Sequence, residues 1–526
     1  MVDFDLVMPP EELLGRYKHP GNPAAIGEWL LHSRGRIDAA VLSLDMLAYG
    51  GLVASRQPTV TVETAQQRLG VLEELRHHLG DAAIFAFNVI MRLSITADSP
   101  QTAQYWQLVR EWAELSYEVR SLGRREMAER LRNLERAIPG EVIEGYEAAR
   151  RRNHAVNRLA VEHVARGNVD FLALTQEDAA PVGVHLDEQA RLRELIDELG
   201  VADKVDIYPG ADEAGMVLLA RFINTHMLRS PTVRVIYSSP EGAERVATFE
   251  DRPVRETVEA QVRAVGARLA PRRRQPDLNL LVATPAEGQR ADYETGVARD
   301  QRRAELRDLL QQGAQVDGHL VLVDVGFPNG ADELLMRELR RSEVELHRLM
   351  SFAAWNTAGN SIGSALAHGT LRLIALQDKG AFDLAQLVSD ISPMRYLELL
   401  NSLIDSERAH VELLLYRFVD DWLYQTRVRP EVTRYVVEML HASTFNLADS
   451  YRQTERMVAD LLGAATADLW AQHFLGRETV HLGVEGSRSS LVLAALEETR
   501  VSLPWRRMFE VDLSFRFGIE LVAEAT

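Results

Sequence analysis

Short runs of consecutive apolar residues recur along the chain and predict the strands of a buried parallel sheet. The runs are rich in β-branched and aromatic residues and are followed by Pro, Gly or Asp, as is typical of strands covered on both faces. Nine runs are present, at 4–8, 39–44, 83–87, 170–174, 204–208, 233–237, 278–282, 319–323 and 349–353. Stretches with helical spacing of apolar residues separate most of them, for example 62–79, 187–199, 255–269 and 331–341. This alternation predicts an α/β fold with mostly parallel strands and crossover helices.

The same pattern suggests three regions. We expect an N-terminal α/β unit in 1–230, a smaller second α/β unit in 231–380, and a mainly helical region in 381–526 that ends in a strand. The spacing alone leaves open a barrel or an open sheet, and we favour a barrel-like first unit followed by an open-sheet unit. A long charged helical pattern at about 100–167 predicts a helical hairpin inserted into the first unit. The final strand is indicated by alternating apolar residues, which are Phe509, Val511, Leu513, Phe515 and Phe517.

Composition narrows the classes of function. With 46% hydrophobic and 26% charged residues, the chain has the makeup of an ordinary globular protein. The formal net charge of −18 argues against a nucleic-acid partner, because phosphate binding needs concentrated Lys and Arg. The absence of cysteine excludes disulfides, thiolate zinc sites, iron–sulfur clusters and a cysteine nucleophile. No apolar run approaches the roughly 20 residues of a membrane span, and there is no signal pattern. We therefore expect a cytoplasmic protein without a membrane partner, whose oligomeric state the sequence does not indicate.

Polar residues follow the predicted strands at the edge where parallel α/β folds bind ligands. The candidate substrate-binding residues there are Asp45, Asn88, Arg92, Gln176, Glu177, Asp324, Asn329, Trp355, Asn356, Thr357 and Asn360. Some of these side chains are expected to cap the next helix, with Asp332 and Ser361 the clearest cap candidates. Capping accounts for one polar residue in a loop. It does not account for Gln-Glu-Asp at 176–178 or Asp-Glu at 212–213.

Paired carboxylates in these loops indicate acid–base chemistry. Asp178 and Glu213 would face each other if their strands are neighbours, and Asp212 lies beside Glu213. Like charge and burial separate the pKa values of such a pair into an acid and a base, as glycoside hydrolysis requires. The Asp212-Glu213 dipeptide also resembles the Asp-Glu pair of hexosaminidases that use substrate assistance. We therefore expect a glycosidase-like hydrolase whose catalytic residues are Glu213, Asp178 and Asp212, acting on a polar or amino-sugar substrate.

The segment 355–363, Trp-Asn-Thr-Ala-Gly-Asn-Ser-Ile-Gly, is the most distinctive of the loops. A tryptophan beside two carboxamides suits a small-molecule or carbohydrate substrate, stacking one face and hydrogen-bonding hydroxyl groups. Gly359 and Gly363 would allow backbone amides at a helix N-terminus to meet an anion. The plainer alternative is a tight turn in which Trp355 belongs to the core. The segment does not continue as a phosphate-binding Gly-Lys-Ser/Thr loop.

Two other functional classes stay open. The chain has neither His-x-x-x-His nor His-Glu-x-x-His, so no zinc site and no required cofactor is predicted. A divalent cation bound by Asp178, Asp212 and Asp324 would instead indicate a Mg²⁺- or Ca²⁺-dependent lyase or phosphate-handling enzyme. A non-catalytic sugar- or anion-binding protein is the third alternative. The absence of a Gly-x-Ser-x-Gly elbow argues against a serine hydrolase.

Several of these segments together resemble an uncharacterised bacterial family, catalogued as domain of unknown function 4127. The segments are 42–52, the Gln-Glu-Asp-Ala loop at 176–179, Pro-Gly-Ala-Asp-Glu at 209–213, Asn-Gly-Ala-Asp at 329–332, and 355–360. The resemblance runs from about residue 9 to past residue 369 and implies no particular activity. Members usually begin with an additional strand and a Leu-Asp-Asp-Arg-Pro-like loop, whereas this chain opens at the second strand. Either Met1 is a downstream start or that strand is absent. A similar string, Glu-Asp-Arg-Pro-Val, occurs at 250–254 and suggests either a distant duplication or coincidence.

Overall fold

Two open parallel sheets form the centre of the protein. The computed structural model describes residues 4–33, 37–97, 100–271, 274–289, 297–380, 392–484 and 487–524. The first sheet has strand order β1-β2-β3-β4, with β1 Ala39–Ser43, β2 Ala83–Ile90, β3 Phe171–Gln176 and β4 Val205–Pro209. The second has order β6-β5-β7-β8-β9, with β5 Thr232–Tyr237, β6 Arg268–Leu269, β7 Leu278–Ala283, β8 His319–Asp324 and β9 Ser351–Ala353. Neighbouring strands run parallel throughout both sheets. The α/β fold class is confirmed.

Our preference for a barrel-like first unit is wrong. Its outermost strands, β1 and β4, each pair with one neighbour, and four strands are far fewer than the roughly eight that close a filled barrel. The first sheet is also the smaller of the two.

Helices connect the strands and cover the sheets. Up to residue 380 they are α1 Pro23–His32, α2 Leu44–Tyr49, α3 Leu52–Ser55, α4 Val62–Leu69, α5 Val71–Leu79, α6 Pro100–Arg120, α7 Ala128–Ala137, α8 Gly140–Ala165, α9 His185–Glu198, α10 Ala214–His226, α11 Pro240–Ala243, α12 Val254–Ala264, α13 Val297–Gln315, α14 Glu333–Leu339 and α15 Ala358–Gly380. Short 3-10 turns lie at Glu11–Leu13, Arg125–Met127, Leu346–Arg348 and Ala448–Ser450. Residues 100–167, expected to form a helical hairpin, instead form three helices, α6, α7 and α8. They pack around a small separate core that contains Trp112 and also Met91, Leu93 and Ala180.

Helices α10, α12 and α15 form a layer shared by the two sheets. Their apolar side chains belong to one core with Phe171 and Tyr208 of the first sheet and Leu280 and Val321 of the second. The opposite face of the first sheet is covered mainly by α2, α4, α5, α8 and α9. The opposite face of the second is covered by α13, α14 and the C-terminal region. Because both faces of each sheet are buried, the strands are continuous apolar runs.

The C-terminal region combines helices with an antiparallel sheet. Its helices are Pro393–Arg417, Arg429–Glu438 and Tyr451–His473, and a π-helical segment, Phe418–Val428, joins the first two. Residues 381–391, where this region was expected to begin, lie outside the described residues. In place of the expected single final strand, the structure has three, β10 Glu478–Val484, β11 Ser487–Ser502 and β12 Asp512–Glu524. Register shifts between Leu493 and Glu498 interrupt the alternation of β11, which conceals it in the sequence.

Another predicted strand is also wrong. Residues 4–8 form no strand, and Leu6, Val7 and Met8 are largely exposed. Some helix boundaries differ as well, because Gly70 separates α4 from α5, and α12 ends at Ala264 before the short strand β6. An apolar run predicts a strand only where a neighbouring strand satisfies its backbone, and this first run has none.

Two glycines of α15 allow this helix to lie against the end of β4. A Cβ atom at Gly359 would lie 2.4 Å from the Pro209 carbonyl oxygen, and one at Gly363 would lie 2.4 Å from Glu213 Cγ. Both distances are well inside van der Waals contact, so only glycine fits. Since α15 follows the last strand of the second sheet, this contact brings the carboxyl edges of the two sheets together.

We predict that Gly359→Ala destabilises the protein, because the added methyl group meets backbone atoms that cannot rotate away. Overpacking of this kind costs about 1–3 kcal/mol. Gly463→Ala is the matched control, since a Cβ there has no atom within 4 Å and lies inside the helix Tyr451–His473. That substitution should stabilise by about 0.5–1 kcal/mol through helix propensity. Scanning calorimetry of both variants would contradict the close contact if they melted alike.

Candidate functional site

An ion-pair network lies at the carboxyl ends of β2 and β3. Arg92, just after β2, pairs with Asp178, and its Nε lies 3.8 Å from Glu177 Oε1. Arg56, which follows α3, pairs with the same Glu177 oxygen. The Glu177 side chain is 6% exposed and the Arg92 side chain 16%. Two arginines therefore compensate two adjacent carboxylates at the edge of the site.

Asp212 is the accessible carboxylate of the site. It follows β4 and is exposed to solvent. Even so, surrounding protein desolvates its carboxylate, which is the main cause of a raised pKa, and the Glu177 charge raises it further. Asn356 Nδ2 donates to Asp212 Oδ2 at 2.7 Å and lowers the pKa in part. Asp212 is therefore exposed while protein surrounds much of its carboxylate, and we call the space that it faces the cleft.

Asn356 and Asn360 connect the second sheet to this cleft. Asn360 Oδ1 accepts hydrogen bonds from the backbone N–H groups of Ala211 and Asp212, both at 3.1 Å. The backbone N–H of Asn329, after β8, donates to the Asn356 carbonyl oxygen at 3.0 Å. The two carboxamides thus fix the loop that carries Asp212.

Glu213 lies behind the cleft and faces away from solvent. It is 2% exposed, and its oxygens accept from Gln261 Nε2 at 2.8 Å and from the Ala211 N–H at 2.9 Å. Burial raises its pKa to about 7 against these hydrogen bonds, which lower it. Gly363 packs directly on its side chain. The geometry gives Glu213 a place between α12 and α15, where it cannot reach a ligand in the cleft.

The N-terminus of α15, which we expected to bind an anion, is occupied by the side chain of Glu250. The Gly359 N–H, in the first turn of α15, donates to Glu250 Oε1 at 2.8 Å. Glu250 is 1% exposed, and burial raises its pKa to about 8 although the Gly359 N–H and Thr357 lower it. Thr357, one of the candidate residues, is buried beside this carboxyl group. Gly359 and Gly363 serve this internal contact and the packing of α15.

Sequence reasoning missed several residues of the site. Arg56 carries no signal, because it follows a short helix and belongs to no motif. Glu250, Asp251 and Arg252 belong to the Glu-Asp-Arg-Pro-Val string at 250–254, to which no structural role could be assigned from the sequence. Asp251 Oδ2 accepts from Gln189 Nε2 at 2.7 Å, and Arg252 donates to the Ile207 carbonyl oxygen at 3.2 Å. That string therefore joins α9 and β4 to the start of α12.

Four other candidates have internal roles. Asn88 lies inside β2 and donates to Asn157 of α8 at 2.6 Å, and Gln176 is held by Gln189 at 3.0 Å. Asp45 is 2% exposed, accepts from the Val89 N–H at 3.0 Å, and has its pKa raised to about 7 mainly by burial. Asp324 is buried at the end of β8, where the N–H groups of Gly326 and Asp332 donate to it.

The two predicted caps differ in outcome. Asp332 is confirmed as the N-cap of α14, accepting from the Leu334 N–H at 2.8 Å. Ser361 is not a cap, since it lies inside the first turn of α15 and donates to the Trp355 carbonyl oxygen at 2.9 Å.

The aspartates offered as metal ligands do not form one group. Asp178 pairs with Arg92, Asp212 bonds to Asn356, and Asp324 belongs to the second sheet. Among the residues that the structure describes, no group of three or more His, Asp or Glu side chains is arranged to hold a metal ion.

Backbone strain concentrates around the cleft. Among described non-glycine residues, eight have positive φ, and five of them lie at this site or at its mouth: Tyr17, Asp178, Phe249, Asn329 and Asn356. A residue in this region costs of order 1–3 kcal/mol unless its surroundings hold it there, and such residues cluster at functional sites. Asn and Asp tolerate the conformation best, which accounts for three of the five.

Half-exposed aromatic rings and an arginine form the mouth of the cleft. Trp355 lies 6.3 Å from Phe509, the Arg507 guanidinium is 4.1 Å from the Tyr17 ring, and Tyr17 is 6.1 Å from Trp505. We call these five residues the aromatic ridge. Its C-terminal members lie in the loop between β11 and β12. Tyr424 and Gln425 of the π-helical segment hold that loop through the carbonyl oxygens of Met508 and Phe509. The ridge therefore combines residues from the beginning, the middle and the end of the sequence.

The raised pKa of Glu250 predicts a pH-dependent stability. An unfolded glutamate titrates near pH ~4.3 and folded Glu250 near 8, so the folded state binds this proton more tightly. Its contribution is complete below the unfolded pKa and is lost as the pH rises through about 8. Glu250→Gln, which mimics the protonated acid, should therefore melt at a higher temperature than the natural protein at pH 9, with little difference at pH 5.

Calorimetry at both pH values measures this effect, with Glu256→Gln as control. Glu256 is exposed on α12 and its variant should follow the natural protein. The prediction is wrong if the melting temperature of Glu250→Gln differs from that of the natural protein by the same amount at pH 5 and at pH 9, because the pKa of Glu250 would then be unchanged by folding.

The chain matches one family of known proteins. No helix within the described ranges combines the length and apolar character needed to cross a bilayer. No curated protein and no solved structure matches the chain. A family model described as protein of unknown function (DUF4127) matches residues 1–514, which confirms the resemblance seen in the sequence, and the chain belongs to that family.

Proposed function

We propose that the protein is a hydrolase that acts on a carbohydrate-like substrate in the cleft at Asp212, with Asp212 as the general acid–base residue. The observation that carries the proposal is the position of Asp212, which is accessible to solvent, hydrogen-bonded to Asn356 and close to the ion-paired Glu177. A general acid must reach the proton that it transfers, and Asp212 meets that requirement.

The proposal moves the catalytic role away from Glu213 and Asp178. Glu213 is enclosed by Gln261, Ala211 and α15, so no substrate atom reaches it. Asp178 pairs with Arg92, which suits it to hold that arginine in place. Both residues then support the site without touching the substrate.

Glu177 supplies the second carboxylate of the pair. Arg56 pairs with Glu177 and Arg92 lies close to it, while burial raises the pKa of Asp212. Two neighbouring carboxyl groups with such different surroundings divide into a proton donor and a charged group that stabilises developing positive charge. Glycoside hydrolysis passes through a transition state of that kind.

The aromatic ridge supports a carbohydrate as the substrate. Trp355 directly precedes Asn356 and packs 6.3 Å from Phe509, so aromatic faces lie beside the carboxamides of the cleft. A sugar ring offers an apolar face for stacking and hydroxyl groups for hydrogen bonds. Asn356 and Asp212 offer donors and acceptors next to that surface.

A non-catalytic sugar-binding protein is the second candidate. It is favoured by the ion pairs of Arg56 with Glu177 and of Arg92 with Asp178, an arrangement that also fits a rigid binding surface. The metal-dependent alternative lacks such support, because among the described residues these aspartates form no group that could hold a metal ion.

Asp212→Asn tests the proposal. The variant keeps the shape of the side chain and removes the proton, so hydrolysis should fall by about 10²- to 10⁴-fold while sugar affinity stays within a few-fold. The assay is release of nitrophenol from a panel of nitrophenyl glycosides that includes N-acetylated sugars, with affinity followed by tryptophan fluorescence. Asp203→Asn is the matched control, since Asp203 is exposed at the other end of β4 and should leave both quantities unchanged.

The outcomes separate the two candidates. Natural-level hydrolysis by Asp212→Asn would rule out its catalytic role. Sugar binding without hydrolysis of any glycoside by the natural protein would favour the binding protein. If the natural protein neither bound nor hydrolysed any glycoside of the panel, both candidates would be excluded.

A further inference from the structure

A cavity of about 510 Å³ is lined by residues that lie apart from the cleft in the sequence and share none of its side chains. Its walls are formed by the end of α14 and the chain after it, at 339–340 and 342–347, and by Gln472, His473 and Arg477 at the end of the helix Tyr451–His473 and before β10. None of the residues of the cleft lines it. Its volume falls within the ~300–1,000 Å³ of small-molecule sites.

The side chain of Arg340 lies in the wall of this cavity. Among the described residues no carboxylate forms an ion pair with it, and its Nε is buried without an acceptor. Its guanidinium lies 5.3 Å from the Trp422 ring, and Arg427 lies over the same ring at 4.8 Å. Glu333, the nearby acid, is occupied by Arg427 and by the Trp422 N–H. Arg340 thus has an aromatic support and an unused set of donors.

Two histidines add further nitrogen atoms to the same wall. His473 Nε2 is buried without a hydrogen-bond partner, and His347 is 6% exposed. Burial lowers the pKa of both rings, and the neighbouring charge of Arg477 lowers each of them further. The inner part of the cavity therefore presents cationic or neutral nitrogen atoms.

The acidic residues of the cavity lie at its outer rim. Glu343 is exposed, and the Glu345 side chain is 41% exposed and pairs with Arg348 at 3.3 Å and Arg477 at 3.7 Å. These carboxylates do not satisfy Arg340 or His473. The donors of Arg340 and His473 therefore lack a hydrogen-bond acceptor, and an anionic acceptor would bind them most strongly.

We infer that this cavity binds a small anion through an oxyanion group, a phosphate or a carboxylate, with Arg340 as its principal contact. The planar guanidinium of arginine matches the two oxygens of such a group and forms charge-assisted hydrogen bonds to it. His347, from the same segment as Arg340, and His473, from the end of the helix Tyr451–His473, add contacts. The volume exceeds that of a bare ion, so the ligand carries an organic part.

Isothermal titration of the natural protein with inorganic phosphate, glycerol 3-phosphate and succinate tests this site at constant ionic strength. We expect glycerol 3-phosphate or succinate to bind with Kd below about 1 mM, and inorganic phosphate more weakly. Arg340→Gln should weaken binding at least tenfold, the size of effect that a lost charge-assisted hydrogen bond produces. Arg341→Gln is the matched control, because Arg341 is 67% exposed and does not line the cavity.

Melting temperatures without ligand show whether the variants are folded. Arg340→Lys is a second variant, which keeps the positive charge but loses the planar guanidinium. Partial binding by Arg340→Lys supports the site. Tighter binding of the phosphate ester than of succinate identifies the group as phosphate, and the reverse identifies a carboxylate. Equal affinity in the natural protein and Arg340→Gln, or no saturation by any of the three anions below 10 mM, overturns the proposal.

Discussion

The close contact between α15 and the end of β4 is the constraint on which the rest of the structure depends. Each sheet alone would have an edge of polar loops with nothing opposite it. Because Gly359 and Gly363 have no side chains, α15 approaches Pro209 and Glu213 closely enough for the loops of the two sheets to interlock. Asn356 and Asn360 then reach Asp212 and Ala211, in the loop that follows the last strand of the first sheet. The cleft is a product of the interface between the sheets.

This arrangement also explains which parts of the protein the sequence made predictable. Runs of buried β-branched residues identify parallel strands well, because both faces of such a strand meet apolar neighbours. The loops after these strands are predictable as a candidate site because the carboxyl ends of parallel strands lie at one edge of a sheet. Five residues of these loops do lie together there: Arg92, Glu177, Asp212, Asn356 and Asn360. The direction in which each side chain points is a tertiary property. Asp212 and Glu213 are neighbours in sequence, yet one faces solvent and the other faces the interface.

The parts that could not be predicted depend on distant contacts. Arg56 has no motif and gains its role from pairing with Glu177. Asp324 has the same local sequence features as Asp212, but its strand belongs to the other sheet and its oxygens are taken by Gly326 and Asp332. β11 was hidden because its bulges break the alternation of apolar and polar residues. Residues 4–8 have the apolar pattern of a strand, but they form none because no neighbouring strand pairs with them.

The loop between β11 and β12 has a consequence for how the protein comes to be functional. Phe509 and Arg507 reach the mouth of the cleft from a position late in the chain, where they meet Trp355 and Tyr17. During synthesis both parallel sheets can therefore be complete while the surface beside Asp212 still lacks one of its walls. A ribosome-bound or proteolysed chain that lacks this loop would contain every candidate catalytic side chain and still present an open, unfinished cleft. The proposed binding of a substrate therefore depends on a segment that contributes neither of the two proposed catalytic carboxylates.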